Sequence, residues 1–296
     1  MSTIKSILIP TDFSETAELA VAHGAHMAHL YKAKIYLLHS VETTMYTGGP
    51  GEPVMVKEAE KLYTMGLEQL KSVAADITAK YDVDITTLTV SGKPAASITQ
   101  AVKDNNIDII IMGTHGASGF EEFFMGSNAH KVVNLSTVPV ISIRITTTNI
   151  GFSNIIMPVS NSLHSRQKVN NVIDIASKYN STVHVLGLLE TNDPIEDKKF
   201  EIKLETVKHT LEKAGVKYTV KHVRGHNPAV EAMKFSEEVN GDLIVIMTDH
   251  ESDLTGMFLG TVAKQIVNHS KIPVMSIRPE HDNVEDFDPA GGTGVI

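Results

Sequence analysis

Residues Ser6-Ile7-Leu8-Ile9-Pro10 form a short apolar run, and this run recurs 148 residues later as Asn154-Ile155-Ile156-Met157-Pro158. A second run, Val138-Pro139-Val140-Ile141-Ser142-Ile143-Arg144, recurs 134 residues later as Ile272-Pro273-Val274-Met275-Ser276-Ile277-Arg278. The smaller second offset means that the second copy is shorter, and we expect it to lack the segment around Thr43–Lys57, which is Gly/Pro-rich at Gly48–Pro53. Two copies are too few for a solenoid, so the sequence predicts a tandem duplication of one domain.

The duplication predicts a first domain at 1–147 and a second at 148–280, which suits a length of 296 residues. Residues 281–296 are acidic and then Gly-rich without periodicity, which predicts a flexible tail. We expect the two domains to dock face to face about a pseudo-two-fold axis. Residues Val138–Ile143 and Ile272–Ile277 are candidate edge strands. Pairing of these edges within the chain predicts an intramolecular pseudo-dimer, and unpaired edges predict a homodimer.

Each copy alternates apolar runs of strand length with longer amphipathic segments. The continuous β-branched runs, such as Ile109-Ile110-Ile111, are typical of strands covered on both faces. The pattern therefore predicts an α/β fold with parallel strands and right-handed crossovers, which binds ligands at the carboxyl ends of its strands. In the first copy we expect strands at Ile4–Pro10, Lys34–Val41, Asp84–Val90, Asp108–Gly113 and Val138–Ile143, and helices at Ser14–Tyr31, Val54–Lys80, Ala95–Asn105 and Ser127–Leu135.

Composition excludes several classes of function. The chain has no cysteine, which excludes disulfides, cysteine–zinc sites, iron–sulfur clusters and thiol catalysis. The net charge is −9, which argues against nucleic acid as a partner. No run reaches the length of a membrane span, and Met1–Lys5 leads into a strand without the apolar core of a signal peptide. We therefore expect no membrane partner and a cytoplasmic location.

The segment from Gly113 to Ser127 joins a predicted strand to a predicted helix. Gly113 and Gly116 allow a sharp turn and close approach to a ligand. Gly126-Ser127 falls at the helix N-terminus, where free N–H groups and the helix dipole favour a phosphate. The segment contains neither the P-loop nor the dinucleotide-binding fingerprint. The alternative is a purely structural strand-to-helix turn.

The spacing Gly113-x2-Gly116-x9-Gly126-Ser127 resembles the ATP-binding signature of the universal stress protein family. Residues Ile7–Ser14 resemble the first strand and turn of that family, Val138-Pro139-Val140 resembles its last strand, and the resemblance spans Ser6–Arg278 in two copies. It implies two tandem, open, doubly wound five-stranded parallel sheets of the adenine nucleotide alpha-hydrolase-like kind. It also implies dimers, and a family with ATP-binding members and members that bind no nucleotide.

The resemblance further implies that ATP, with or without Mg²⁺, contacts ten positions of the first copy. Those expected beside the adenosine are Pro10, Thr11 and Asp12, with the backbone of Ser40 at the adenine edge. Those expected around the ribose and phosphates are Gly113, His115, Gly116, Gly126, Ser127 and Asn128. The alternative for Asp12, from the residues alone, is that it merely caps the following helix or a turn.

The second copy departs from the signature. Met247 stands at the position of Gly113, His250 at that of Gly116, and Ser160-Asn161 at that of Asp12-Phe13, whereas Gly260-Thr261 preserves the last element. Side chains thus replace glycines where a ligand would approach. The comparison predicts one working nucleotide site, in the first domain, and a second site that is empty or holds another ligand.

Three functions remain open from sequence. The first is an ATP-binding stress-response module without efficient catalysis, which changes conformation or assembly with occupancy. The second is a slow, metal-dependent ATPase that uses Asp12 and His115. The third is a scaffold that binds no nucleotide and recruits a protein partner. His23, His26 and His29 lie three residues apart on one predicted helix, and we interpret them as a helix face rather than a metal site.

Overall fold

A computed structural model gives the chain an α/β fold with one ten-stranded sheet and helices on both faces. The structure describes residues 4–42, 53–114, 125–162, 164–189, 193–225, 227–248 and 259–279, and within 53–59 the backbone alone. Elements of the first half are β1 (Ser6–Pro10), α1 (Glu15–Tyr31), β2 (Lys34–Val41), α2 (Pro53–Tyr81), β3 (Ile85–Ser91), α3 (Pro94–Asp104), β4 (Ile109–Gly113), α4 (Ser127–Leu135) and β5 (Val140–Ile143). Elements of the second half are β6 (Asn154–Val159), α5 (Val169–Tyr179), β7 (Thr182–Leu189), α6 (Pro194–Lys213), β8 (Lys217–Arg224), α7 (Pro228–Glu238), β9 (Leu243–Met247), α8 (Thr261–His269) and β10 (Val274–Ile277).

The strand order is β3-β2-β1-β4-β5-β10-β9-β6-β7-β8. Pairing is parallel within each half, and β5 meets β10 antiparallel with Ile141 opposite Met275. The predicted class, two doubly wound five-stranded parallel sheets, is confirmed. The expectation of face-to-face docking is wrong, because the halves join edge to edge into one continuous sheet. The edge strands β5 and β10 pair with each other within the chain, which is the first of the two alternatives predicted from the sequence.

The repeat extends to backbone detail. Lys32 and Asn180, 148 residues apart, both end their helices in the left-handed conformation, with φ 54°, ψ 42° and φ 52°, ψ 41°. The helices start differently, because α1 begins at Glu15 whereas residues 164–168 form turns before α5. This difference lies at the carboxyl ends of the strands, where the first half has its candidate site.

Strands β1, β4, β6 and β9 are buried on both faces, whereas the edge strands β3 and β8 are partly exposed. Side chains alternate between two apolar layers, with Ile7 and Ile9 in one layer and Leu8 in the other. Burial on both faces explains why the sequences of these inner strands are uninterrupted apolar runs rather than alternating apolar and polar residues. In the part of the chain that the structure describes, no helix has the length and apolar character needed to cross a membrane.

Candidate functional site

A cavity of about 240 Å³ opens at the carboxyl ends of β1, β2 and β4. Its floor is apolar, formed by side chains such as Leu38, Ile98 and Met112. Eight of the ten predicted ligand positions line it: Pro10, Thr11, Asp12, Ser40, Gly113, Gly126, Ser127 and Asn128. The other two, His115 and Gly116, lie outside the described residues. The structure thus brings together residues that are more than 100 positions apart in sequence.

The β1–α1 turn holds Asp12 at the rim of this cavity. The Thr11 N–H donates to the Leu38 carbonyl oxygen at 2.8 Å, which continues the β1–β2 ladder by one residue. Asp12 Oδ1 accepts from the Ser14 hydroxyl at 2.6 Å, and Ser14 in turn accepts from the Ala17 N–H as the N-cap of α1. Ser14 rather than Asp12 is therefore the cap of α1, and Asp12 stabilises the turn by accepting from Ser14. The Asp12 side chain is also exposed at the cavity.

Ser40 offers its backbone where β1 has ended. In β2, Lys34 N–H and Leu38 C=O both bond toward β1, whereas Ile35 N–H bonds toward β3. Because this direction alternates along a strand, the N–H and C=O of Ser40 face the β1 side, beyond Thr11. The Ser40 hydroxyl is used elsewhere, since it donates to the Gly92 carbonyl oxygen at 2.8 Å. The backbone rather than the side chain is thus the part of Ser40 that a ligand can reach.

The N-terminus of α4 opens into the cavity. Its N-cap is Gly126, with φ −58° and ψ 151°, and no side chain caps the helix. The Gly126 N–H donates to the Thr114 carbonyl oxygen at 2.7 Å, which holds the start of α4 next to the end of β4. The N–H groups of the first helical turn have no partner within the helix, and Ser127 and Asn128 are exposed. This combination suits an anion.

Gly113 has a packing role that the sequence did not reveal. Its φ is not positive, and a Cβ built on it would lie 3.1 Å from the backbone C and O atoms of Thr16. The glycine therefore lets the first turn of α1 pack directly against the end of β4. Gly113 also lines the cavity, so the close approach of a ligand to it stays a prediction.

Sequence reasoning missed the contribution of the β3–α3 connection. Pro94 and Ile98 line the cavity, and Ser97 lies 3.3 Å from the Ser40 hydroxyl. This connection also leaves the carboxyl end of a strand, so the rule that predicted the other loops applies to it equally. Pro94, at the start of α3, was the signal in the sequence.

Comparison with known proteins agrees with the fold and the repeat. The model of the universal stress protein family matches the chain twice, at residues 3–144 and 151–278. The chain belongs to the universal stress protein family. One relative, a universal stress protein of Methanocaldococcus jannaschii, is 31% identical over 140 residues, which is 47% of this chain and 82% of the relative. Another, from Mycolicibacterium smegmatis, is 22% identical and covers 94% of this chain and 98% of its own length.

Among solved structures, a universal stress protein from Archaeoglobus fulgidus has a TM-score of 0.73 and 19% identity. It covers 94% of this chain and 97% of its own. The likeness shows that both halves, in their mutual arrangement, follow a fold already seen in this family.

The second half of this universal stress protein differs at the equivalent place. Leu188 occupies the position of Ser40 and Met247 that of Gly113, and both side chains are buried. In the first half α1 packs directly on Gly113, whereas in the second half, where Met247 stands, α5 begins later, after the turns at 164–168. The N-cap of α8, Gly260, keeps the conformation of Gly126, with φ −58° and ψ 153°.

A lysine contacts the β6–α5 turn of the second half. Lys203 Nζ donates to the carbonyl oxygens of Ser160 and Ser162 at 3.2 and 3.0 Å. Burial, assisted by the positive charge of Arg166, lowers the pKa of Lys203 to about 8. The turn that carries Asp12 in the first half therefore carries a bound ammonium group in the second.

The three helix histidines do not converge. His23 is buried against the Phe152 ring, His26 packs on Tyr179, and the His29 ring nitrogen Nδ1 lies 2.7 Å from the Tyr81 carbonyl oxygen. Among the described residues, no group of three potential ligands is arranged to hold a metal ion. These histidines are packing residues between α1 and its neighbours.

Proposed function

We propose that the first half of this protein binds ATP in the 240 Å³ cavity and that occupancy regulates the protein. The observation that carries the proposal is the convergence of eight predicted ligand positions on one cavity, together with the uncapped N-terminus of α4. Composition alone would not produce this convergence, because the residues come from four separate segments.

Each part of the cavity suits one part of the nucleotide. The apolar floor suits the purine, and the inward backbone of Ser40 offers a donor and an acceptor for the adenine edge. The first turn of α4, with the Ser127 hydroxyl, suits the phosphates. Asp12 and Ser127 supply oxygen atoms of the kind that Mg²⁺ prefers, so a magnesium–ATP complex fits the donor set.

We favour binding over turnover. Within the described lining, Asp12 is the charged side chain, and it is negative. Enzymes that transfer phosphoryl groups efficiently direct a lysine or arginine at the γ-phosphate. The output of binding is then a shift between two conformations or partner-binding states, driven by the difference in their affinities for ATP.

We further propose one nucleotide per chain. Domain 148–280 keeps the helix N-terminus at Gly260 but has Leu188, Met247 and the Lys203-bound turn where the first domain has its cavity. It acts as a built-in partner for domain 1–147 through β5 and β10. We infer a cytoplasmic protein with an adenine nucleotide as ligand and no nucleic acid partner, in keeping with its net charge of −9.

The test counts nucleotide in protein purified without dialysis. The protein is denatured, the released small molecules are separated by chromatography, and apo protein is titrated with ATP and magnesium by calorimetry. We expect close to one adenine nucleotide per chain. Two per chain would contradict the assignment of a single site. No nucleotide, with no heat on titration of a folded protein, would overturn ATP binding and leave the scaffold function.

A further inference from the structure

A second cavity, of about 340 Å³, lies at the opposite end of the first-half strands, in the middle of the sheet. Ile4 and Asp108 precede strands of the first half, whereas Asn171 and Asp174 belong to α5 and Met275 to β10 of the second half. The cavity is therefore built jointly by the two domains at the amino ends of β1, β4 and β5. It is separate from the proposed nucleotide site, which lies at the carboxyl ends.

The repeat supplies a counterpart for this cavity across the pseudo-two-fold axis. At an offset of 148 residues, Phe152 is equivalent to Ile4, His23 to Asn171 and His26 to Asp174. There the space is filled by rings. The centroids of His23 and Phe152 are 5.5 Å apart and stacked, and both residues are 2% exposed. The open cavity thus corresponds to a place that the chain fills with its own aromatic side chains.

The two aspartates before β4 and β9 also differ in their use. Asp242 accepts with both carboxylate oxygens, from Ser153 N–H at 2.7 Å and Asn154 N–H at 3.0 Å. In Asp108, by contrast, Oδ2 accepts all the hydrogen bonds that come from the described residues. The donors are the Lys5 and Ser6 N–H groups and the Ser6 hydroxyl. Oδ1 of Asp108 is therefore the oxygen that can accept from a ligand.

Asp174 adds a second carboxylate to the same lining. Burial raises its pKa, and the Tyr31 hydroxyl and the Lys178 ammonium group lower it. The balance is upward, so the charged form is not fully compensated by the protein around it. A cation in the cavity would supply the missing compensation. At the equivalent position of the first half, the side chain is His26, a titratable base, whereas Asp174 is an acid.

We propose that this cavity binds a small organic cation, a primary amine on an apolar body the size of one ring. The apolar body occupies the space that Phe152 fills in the counterpart, against Ile4 and Met275. The ammonium group donates to Asp108 and Asp174, with Asn171 as an additional acceptor. Because the lining comes from both halves, the ligand would also tie the two domains together.

The probe is benzylamine, titrated into the full-length protein by ligand-observed NMR, with benzyl alcohol as a neutral match and benzoate as an anionic one. We expect benzyl alcohol to bind about tenfold more weakly than benzylamine, in keeping with the loss of one charge-assisted hydrogen bond. Benzoate should bind more weakly still. Equal binding of the amine and the alcohol, or no binding of the amine, would overturn the proposal.

Two variants locate the site. Ile4→Phe should fill the cavity as Phe152 fills its counterpart and abolish amine binding, while Asp174→Asn should weaken binding about tenfold. The matched control is His26→Asn, which changes the pseudo-equivalent position and should leave amine affinity unaltered. Thermal unfolding checks that each variant is folded. If Ile4→Phe does not fold, the test rests on Asp174→Asn. Unchanged amine binding in folded Asp174→Asn would refute the site.

Discussion

Gly126 and Gly260 start their helices with the same backbone conformation, within 2° in ψ, and neither helix has a side-chain cap. Both N-termini therefore present the same N–H groups and the same end of the helix dipole. What differs is the surroundings: Asp12 and Ser40 in the first half, Ser160 and Leu188 in the second. Nucleotide binding is thus expected to depend on the strands and turns around the helix, and the second half provides a matched internal control.

Gly126→Asp should abolish ATP binding without unfolding the protein. The new carboxylate would occupy the α4 N-terminus and repel the phosphates, while acting as an N-cap that changes stability by a few tenths of a kcal/mol relative to glycine. We expect a loss of ATP affinity of about a hundredfold, or roughly 3 kcal/mol, measured by calorimetry. Gly260→Asp makes the same cap in α8, and ATP affinity should stay as in the wild type. Equal losses in both variants would argue against a site confined to the first half.

Gly113→Ala should weaken the junction between β4 and α1. Its Cβ would lie 3.1 Å from the Thr16 backbone, and backbone cannot move as a side chain end can. We expect a loss of about 1–3 kcal/mol in the free energy of unfolding, measured with urea. ATP affinity should fall as well, because α1 carries the cap that holds Asp12. Unchanged stability and affinity would show that α1 has freedom to shift.

Stability should fall as the pH is lowered from about 6.5 toward 4. Burial lowers the pKa of His23 to about 4, with His26 adding to the effect and the Asn149 backbone opposing it. As the pH falls, His23 is therefore protonated in the unfolded chain before it is protonated in the folded one. The stabilisation that comes from neutral His23 is complete above its pKa in the unfolded chain and is lost as the pH falls from about 6.5 to 4. The loss amounts to about 3 kcal/mol at most.

The variant for this pH effect is His23→Phe, which keeps a ring on Phe152 and should reduce the slope of unfolding free energy against pH between 6.5 and 4. Some slope should remain, because burial also lowers the pKa of His26. A slope that is unaffected by His23→Phe would assign the acid sensitivity to other groups.

Arg144→Met should destabilise the seam between the halves. Arg144 is 5% exposed, and its guanidinium donates to the Val267 carbonyl oxygen of α8 at 3.4 Å. Loss of a hydrogen bond from a buried charged group costs about 1–3 kcal/mol, measured by chemical unfolding. Arg278, at the equivalent position of the second copy, is exposed, and Arg278→Met should stay within about 0.5 kcal/mol of the wild type. Similar effects of the two changes would mean that burial at the seam is unimportant.

The sequence predicted the elements well because local signals and burial agree. In the first half, Lys34–Val41 and Ser127–Leu135 were predicted with the bounds that the structure has, and the other elements differ by up to two residues. The helix signal was strong at Ser14, where a capping side chain precedes Glu15 and Glu18. The duplication followed from the strand motifs themselves, which are buried and hence similar in the two copies.

The arrangement of the halves was not predictable from those signals. The residues of Val138–Ile143 do not indicate which strand they will pair with. Their side chains are buried whether the halves dock face to face or edge to edge. The role of Gly113 was also hidden, since a glycine that admits a helix and a glycine that admits a ligand look alike in sequence. The pairing of His23 with Phe152 depends on tertiary contacts between residues in different domains.

The antiparallel β5–β10 ladder has an evolutionary consequence. In a homodimer joined at this edge, every substitution appears in both subunits, so a cavity opened or closed on one side of the axis is opened or closed on the other. Joining the two copies in one chain removes that constraint, and each position can change alone. The aromatic packing of Phe152 and the cavity beside Ile4 are one such difference between equivalent positions, and Gly113 and Met247 are another. Two copies in one chain can therefore differ in the ligands that their equivalent surfaces accept.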